Sequence, residues 1–329
     1  MKKFKNLKFV RAIGFNRVVL ICVIFLLYLL FAVLTPVLHG GASFVKVERI
    51  FSAMNYAYFL GFLALGVTFV ISTGGIDFSI GPVMFASALI SGYCLTQYHA
   101  PLWLCLIISL IVGSLFGLLN GYFVAYRFLP SFVTSLASIE IAKGIGSVFT
   151  KTQSVTWPTA GSENSWYKNL VRAGNVPTGL ILLIIAAVIC GIVLNKTKAG
   201  RYMLCIGSNK EAVRLSGVNT KKWEMIAYVI CGLLAGCAAI FYVGAYTTVQ
   251  PGLGDNFNND AIAACVMGGT SMAGGVASIL GTVIGTMIMS LMQEGILAMG
   301  FTISYQYVIS GIIVLIAVTA DTLSRKRKV

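Results

Sequence analysis

This chain is a succession of apolar runs too long and too poor in charge for the interior of a soluble domain. Residues 18–38, 50–72, 102–126, 131–150, 177–194 and 225–248 are predominantly apolar, and residues 261–320 continue in the same way with one glycine-rich interruption. A helix needs about 20 apolar residues to cross the hydrocarbon core of a bilayer, and these runs have that length. Only 10% of the 329 residues are charged and the mean hydropathy is +0.89, where about a quarter charged is usual for soluble domains. The fold class expected is all-α integral membrane. It has about ten transmembrane helices with Gly-interrupted segments, and the third (83–96) and eighth (near 261–268) runs are short.

The formal net charge of +14 decides orientation rather than partner. Basic residues cluster between Lys2 and Arg17, between Lys196 and Lys222, and between Arg325 and Lys328. About ten spans put all three clusters on one side, as the positive-inside rule requires, so the topological reading wins over a nucleic-acid surface. The chain then divides into a basic cytoplasmic N-terminus (1–17), one transmembrane domain (18–320) holding a cytoplasmic loop (195–224), and a basic cytoplasmic tail (321–329). The first apolar run exceeds the ~7–15 residues of a signal-peptide core and lacks a small-x-small cleavage site, so it reads as a retained span. Trp157, Trp166 and Tyr167, in the polar stretch 151–176, suggest an external interfacial belt. The eight cysteines show no C-x-x-C spacing and read as small buried hydrophobes.

The loop at 195–224 carries seven Lys and Arg, against two acids, Glu211 and Glu224. Ser208 and Asn209 can cap a short helix, Glu211 sits in its first turn, and Gly217 can end it after about two turns. Two other segments resemble each other. Gly74–Gly92 and Gly268–Thr286 both read Gly-Gly, a few residues, Gly, then small residues, and such breaks in matching places point towards a substrate pathway; chance likeness between glycine-rich segments is the competing reading. Asp77, the only carboxylate between Glu48 and Glu140, is either functional or caps a helix starting at Phe78. Glu140 and Lys143, three apart, are expected to pair, as a structural couple or as a gate. Asp260 and Glu294 are expected near the outer boundary, open to an external partner. Gly113, Gly117 and Gly121, with Gly232/Gly236 and Gly281/Gly285, mark close helix packing, either static or as sliding faces. There is no Gly-Lys dipeptide and so no P-loop, no H-E-x-x-H around His39 or His99, and only an incomplete nucleophile elbow at Gly269–Ala273. Neither catalytic nor metal residues are expected.

Several motifs carry a family resemblance. The run Ala199-Gly200-Arg201, then Ile206-Gly207-Ser208-Asn209-Lys210-Glu211-Ala212-Val213-Arg214-Leu215-Ser216-Gly217, resembles the cytoplasmic signature of permease subunits of ribose- and galactoside-type ABC sugar importers. Thr73-Gly74-Gly75-Ile76-Asp77-Phe78-Ser79-Ile80-Gly81 is similar to a second family segment, with Phe78 where Leu is usual. Leu129–Ala137 and Asp260–Ser271, with Gly274 and Gly275, resemble a third and a fourth. The likeness runs in order over residues 50–320 and leaves the first 45 unmatched.

The resemblance implies a multi-pass permease of the bacterial inner membrane, with a type II-like architecture. It works as a homodimer or beside a paralogous permease, with an ATP-binding subunit inside and a periplasmic or lipid-anchored binding protein outside. Gly207, Ser208, Asn209, Glu211, Ala212, Arg214, Leu215, Ser216 and Gly217 would form the element that docks into the ATPase. No cofactor is expected on this chain, ATP and Mg²⁺ belonging to the partner, and no nucleic acid. Asn55, Gly74, Gly75, Asp77, Ser79, Gly81, Asn120, Gly268, Gly269, Thr270, Ser271, Gly274 and Gly275 are the candidates for the translocation pathway and its broken helices. The rival readings are an H⁺- or Na⁺-coupled secondary transporter, and the same architecture carrying a nucleoside, an amino acid or a signalling sugar.

Overall fold

A computed structural model describes residues 15–38, 44–162 and 164–326; most of the N-terminal basic cluster and the end of the C-terminal one lie outside them. Eleven α-helices follow one another: α1 (Phe15–Leu38), α2 (Val47–Ser72), α3 (Ile80–Gln97), α4 (Leu102–Arg127), α5 (Ser131–Phe149), α6 (Thr178–Lys196), α7 (Lys198–Leu215), α8 (Thr220–Tyr246), α9 (Asp255–Met267), α10 (Ile279–Ala298) and α11 (Ser304–Lys326). Among the described residues, eight of these are long and apolar enough to cross a membrane: α1 to α6, α8 and α10. The short eighth run became α9, 13 residues long. At 1.5 Å per residue it reaches about 20 Å, short of the ~30 Å core.

Helix α2 is the axle. It is apolar on every side, which only a helix enclosed by others can be, and from Tyr56 to Ser72 every residue is buried. Helices α3, α6, α8, α9 and α10 pack around it. The broadest contact in the bundle joins α4 to α8, and glycine makes it possible. A Cβ at Gly113 would fall on the Gly232 carbonyl oxygen, and one at Gly117 on that of Tyr228. Ser109 Oγ donates to the Gly236 carbonyl in the same seam at 3.0 Å. Gly281 and Gly285 of α10 meet the backbone at Gly268 and Ala264 in the same manner. Without a hydrophobic force between helices in lipid, such close van der Waals contact does the holding.

The segment between α5 and α6 departs from the expected aromatic belt. Its residues Val155–Thr156 pair antiparallel with Thr248–Val249. Trp157 and Tyr167 are buried beneath it, and only Trp166 is exposed. The physical reason is a partner: Trp157 Nε1 donates to the Ala88 carbonyl at 3.2 Å, and Gly92 leaves room for the indole. An indole with its N–H satisfied gains more from burial than from an interface.

Candidate functional site

The basic loop at 195–224 folds as two helical pieces with one bend. Thr197 caps the first piece, and Met203 and Ile206 bury it against the bundle. At Asn209 the backbone becomes extended (φ −160°, ψ 93°), and its Oδ1 accepts the Ala212 amide at 2.9 Å. Asn209 is therefore the cap of the second piece. Ser208 ends the first, its Oγ donating to the Leu204 carbonyl at 3.1 Å. The short helix stops where expected, with Gly217 at φ 79°. Its outer face shows Glu211 and Arg214, paired at 2.5 Å, beside Leu215, which is 76% exposed. The hydrogen bonds from Arg214 hold the Glu211 carboxyl below its ordinary range. Lys210 reaches Glu224 of α8 at 2.6 Å, fastening the short helix to the next span.

Behind this helix the two glycine-rich breaks meet. Gly275 N donates to the Ser72 carbonyl at the end of α2, at 3.0 Å, and Gly274 packs on the backbone of Gly74. Gly207 closes the junction: a Cβ there would fall on the Ser72 carbonyl and the Gly275 amide. Gly74, Gly269, Gly274 and Gly275 all have positive φ, which a side chain would make costly. The resemblance between the two segments thus has a spatial counterpart. Helix α7 therefore touches the end of α2 and the α9–α10 connection at one place.

Further along the first break a polar cluster fixes its path. Asp77 is buried, and its Oδ1 accepts Ser79 N at 2.8 Å and Ser79 Oγ at 2.6 Å. Its Oδ2 accepts Asn120 Nδ2 of α4 at 3.2 Å, and Ser138 of α5 donates to Asn120 Oδ1. Helix α3 begins at Ile80, two residues later than expected, because Asp77 organises the turn before the helix instead of capping one at Phe78. Gly81 N donates to Asn258 Oδ1 of α9 at 2.6 Å, and Gly75 lies against the Tyr228 hydroxyl. On the second break, Thr270 Oγ1 accepts Ser278 N at 3.2 Å, and Ser271 N donates to the Val276 carbonyl at 2.9 Å. Gly268 packs on Gly281, so these candidates sit mostly in tight junctions. Asn55, half-buried on α2, keeps its Oδ1 buried without a donor from the described residues.

Two acidic expectations are corrected. Lys143 pairs with Asp255 at 2.5 Å, not with Glu140, which is exposed. The first turn of α9 brings Asp255 within reach, and the i,i+3 spacing does not compete with it. Asp260 is not open to an external partner: it is 2% exposed and accepts from Tyr56 (2.5 Å), Gln306 (2.9 Å) and Ser310 (2.9 Å). Glu294 does sit near the first turn of α2, but it bonds Arg49 at 2.9 Å. Asp260 borders two cavities. One, of about 150 Å³, lies among α2, α8, α9, α10 and α11. The other, of about 370 Å³, is lined by Phe78, Asn259, Met272 and Ser310 among others, and the two share Asn256, Asp260 and Tyr307. Sequence reasoning missed Tyr56, Gln293, Gln306 and Tyr307. The signal was present: a glutamine inside an apolar run is costly unless it has work.

The chain is thus a bundle of spanning helices whose glycine-rich breaks are joined to α7, with an exposed, capped turn at its end. The chain belongs to the family described as branched-chain amino acid transport system / permease component, whose pattern matches residues 49–318. Among its relatives, the ribose import permease protein RbsC of Escherichia coli (strain K12) is 31% identical over 283 residues, covering 85% of this chain and 87% of the relative. The Bacillus subtilis (strain 168) protein of the same name is 32% identical over 302 residues, covering 91% and 90%. The fructose import permease protein FrcC of Rhizobium meliloti is 30% identical over 291 residues, covering 87% and 81%. No solved structure matches the chain.

Proposed function

We propose that this chain is the transmembrane subunit of an ATP-driven, binding-protein-dependent importer of a monosaccharide or related polyol in the bacterial inner membrane. The observation that carries the reading is the Gly207 junction, where the first piece of α7 packs on both broken segments one turn before the capped piece with its exposed Glu211, Arg214 and Leu215. An ATPase subunit gripping that face would move the breaks without any energy-converting site in this chain. Catalysis, with ATP and Mg²⁺, then belongs to the partner. A two-state element biased by nucleotide inside and by a loaded binding protein outside is the mechanism that fits. The permease pairs with a second copy or a paralogue.

The relatives' names favour sugar over the amino acids in the family's description. So does chemistry: the cavity walls are aromatic rings, amides and hydroxyls, suited to a neutral polyhydroxy solute. The buried carboxylates Asp77 and Asp260 are what an ion-coupled transporter would use, and one experiment separates the two. Cells carrying the full system are treated with an uncoupler while ATP is maintained. Uptake of labelled ribose, xylose or fructose that persists supports the ATP-driven reading; collapse of uptake with the membrane potential overturns it.

A further inference from the structure

We propose that the cavity among α2, α8, α9, α10 and α11 is a holding site for one polyhydroxy solute inside a single subunit, with Asp260, Gln293 and Gln306 as its hydroxyl partners. The assignment deepens the transport reading and rests on it. The first observation is the lining. Tyr56, Phe59 and Tyr242 form an aromatic wall, with ring centroids 5.0 Å (Tyr56–Phe59) and 5.3 Å (Phe59–Tyr242) apart. Flat apolar walls with a few convergent polar groups are what small-molecule sites offer. A sugar ring has the same division, C–H faces above and below and hydroxyls around the edge.

The second observation is independent of the cavity's shape. The carbonyl oxygens of Gln293 and Gln306 are both buried and accept no hydrogen bond from the described residues. Gln306 is 1% exposed, its Nε2 is committed to Asp260 at 2.9 Å, and its side chain lines the cavity. Buried acceptors are nearly always satisfied, so two around one cavity call for a donor-rich guest. A polyol supplies O–H donors to both amides and to the remaining capacity of Asp260. About 150 Å³ suits a molecule the size of a six-membered ring. The neighbouring cavity of about 370 Å³ continues from Asp260, and the bond from Asn256 Nδ2 to the Tyr307 hydroxyl, 2.7 Å, lies where the two meet. The alternative is that the amides are structural, and the two ideas predict opposite things for Gln293→Leu.

The test uses the complete complex of permease, ATPase and binding protein in proteoliposomes, with labelled D-ribose, D-xylose and D-fructose as probes. For Gln293→Leu, and for Gln306→Leu as the second variant, the expected result is at least a tenfold loss of sugar uptake. ATPase stimulation by the loaded binding protein should stay within twofold of wild type, and the melting temperature of Gln293→Leu should be unchanged or raised. Uptake within twofold of wild type in both variants overturns the holding site. So does a parallel loss of uptake, ATPase activity and melting temperature in both, which marks a structural role. If the wild-type complex imports none of the three sugars, the sugar reading itself falls, and the assignment with it.

Discussion

At Gly207 a single methyl group decides the outcome. Its Cβ would meet the Ser72 carbonyl and the Gly275 amide, backbone atoms that cannot swing aside. Gly207→Ala should therefore cost about 1–3 kcal/mol, the usual cost of overpacking a rigid contact. Gly144, helical and with open space around its Cβ position, should respond in the opposite direction, Gly144→Ala gaining up to about 1 kcal/mol of helix propensity. Thermal unfolding of the detergent-purified protein reads both; equal shifts would remove the junction from the account. Asp77→Ala belongs to the same scale. It leaves the Ser79 amide and part of the Asn120 amide without an acceptor in a buried place, so a loss of about 1–3 kcal/mol is expected in the same assay. The cap at Asn209, the turn at Gly217 and the close-packed glycines were legible from neighbouring letters, because a cap or a turn is settled within four residues. The partners of Lys143 and Asp260 were not. Lys143 is met by Asp255 of α9 and Asp260 by side chains of α2 and α11, and spacing along one helix carries no information about the register of the next.

Among the elements, the α4–α8 seam and α7 make different demands. Gly117 faces the backbone at Tyr228 and Val229, so Gly117→Leu should prevent the two helices from meeting. The expected result is loss of a monodisperse peak on size exclusion; an assembled protein that transports slowly would instead favour sliding faces. Helix α7 is the opposite case, because its outer turn leaves Glu211, Arg214 and Leu215 exposed. Glu211→Lys and Gly217→Trp should insert and assemble normally while uptake per ATP hydrolysed falls at least tenfold. Normal uptake in either variant would exclude this helix as the ATPase contact. Length was what the apolar pattern misjudged. A run of membrane hydropathy reads as a crossing, yet α9 has 13 residues, about two-thirds of the length the core needs, and its cap residue Gly254 packs against Gly81 at the start of α3. Hydropathy reports the solvent a helix prefers, not how far it travels.

At the scale of the molecule, the enclosed α2 ends in a carbonyl where both glycine breaks meet, covered by the basic loop at Gly207. Force applied to that loop has a short route into the centre of the bundle. The series of membrane helices was readable from hydropathy; the cavity was not, since it gathers one to three side chains from each of five helices. The most direct measurement places the purified permease in liposomes with its binding protein and sugar, with and without the ATPase subunit and ATP. Accumulation against a gradient only when the ATPase and ATP are both present is the result predicted. Accumulation by the permease with no nucleotide-hydrolysing partner would contradict it.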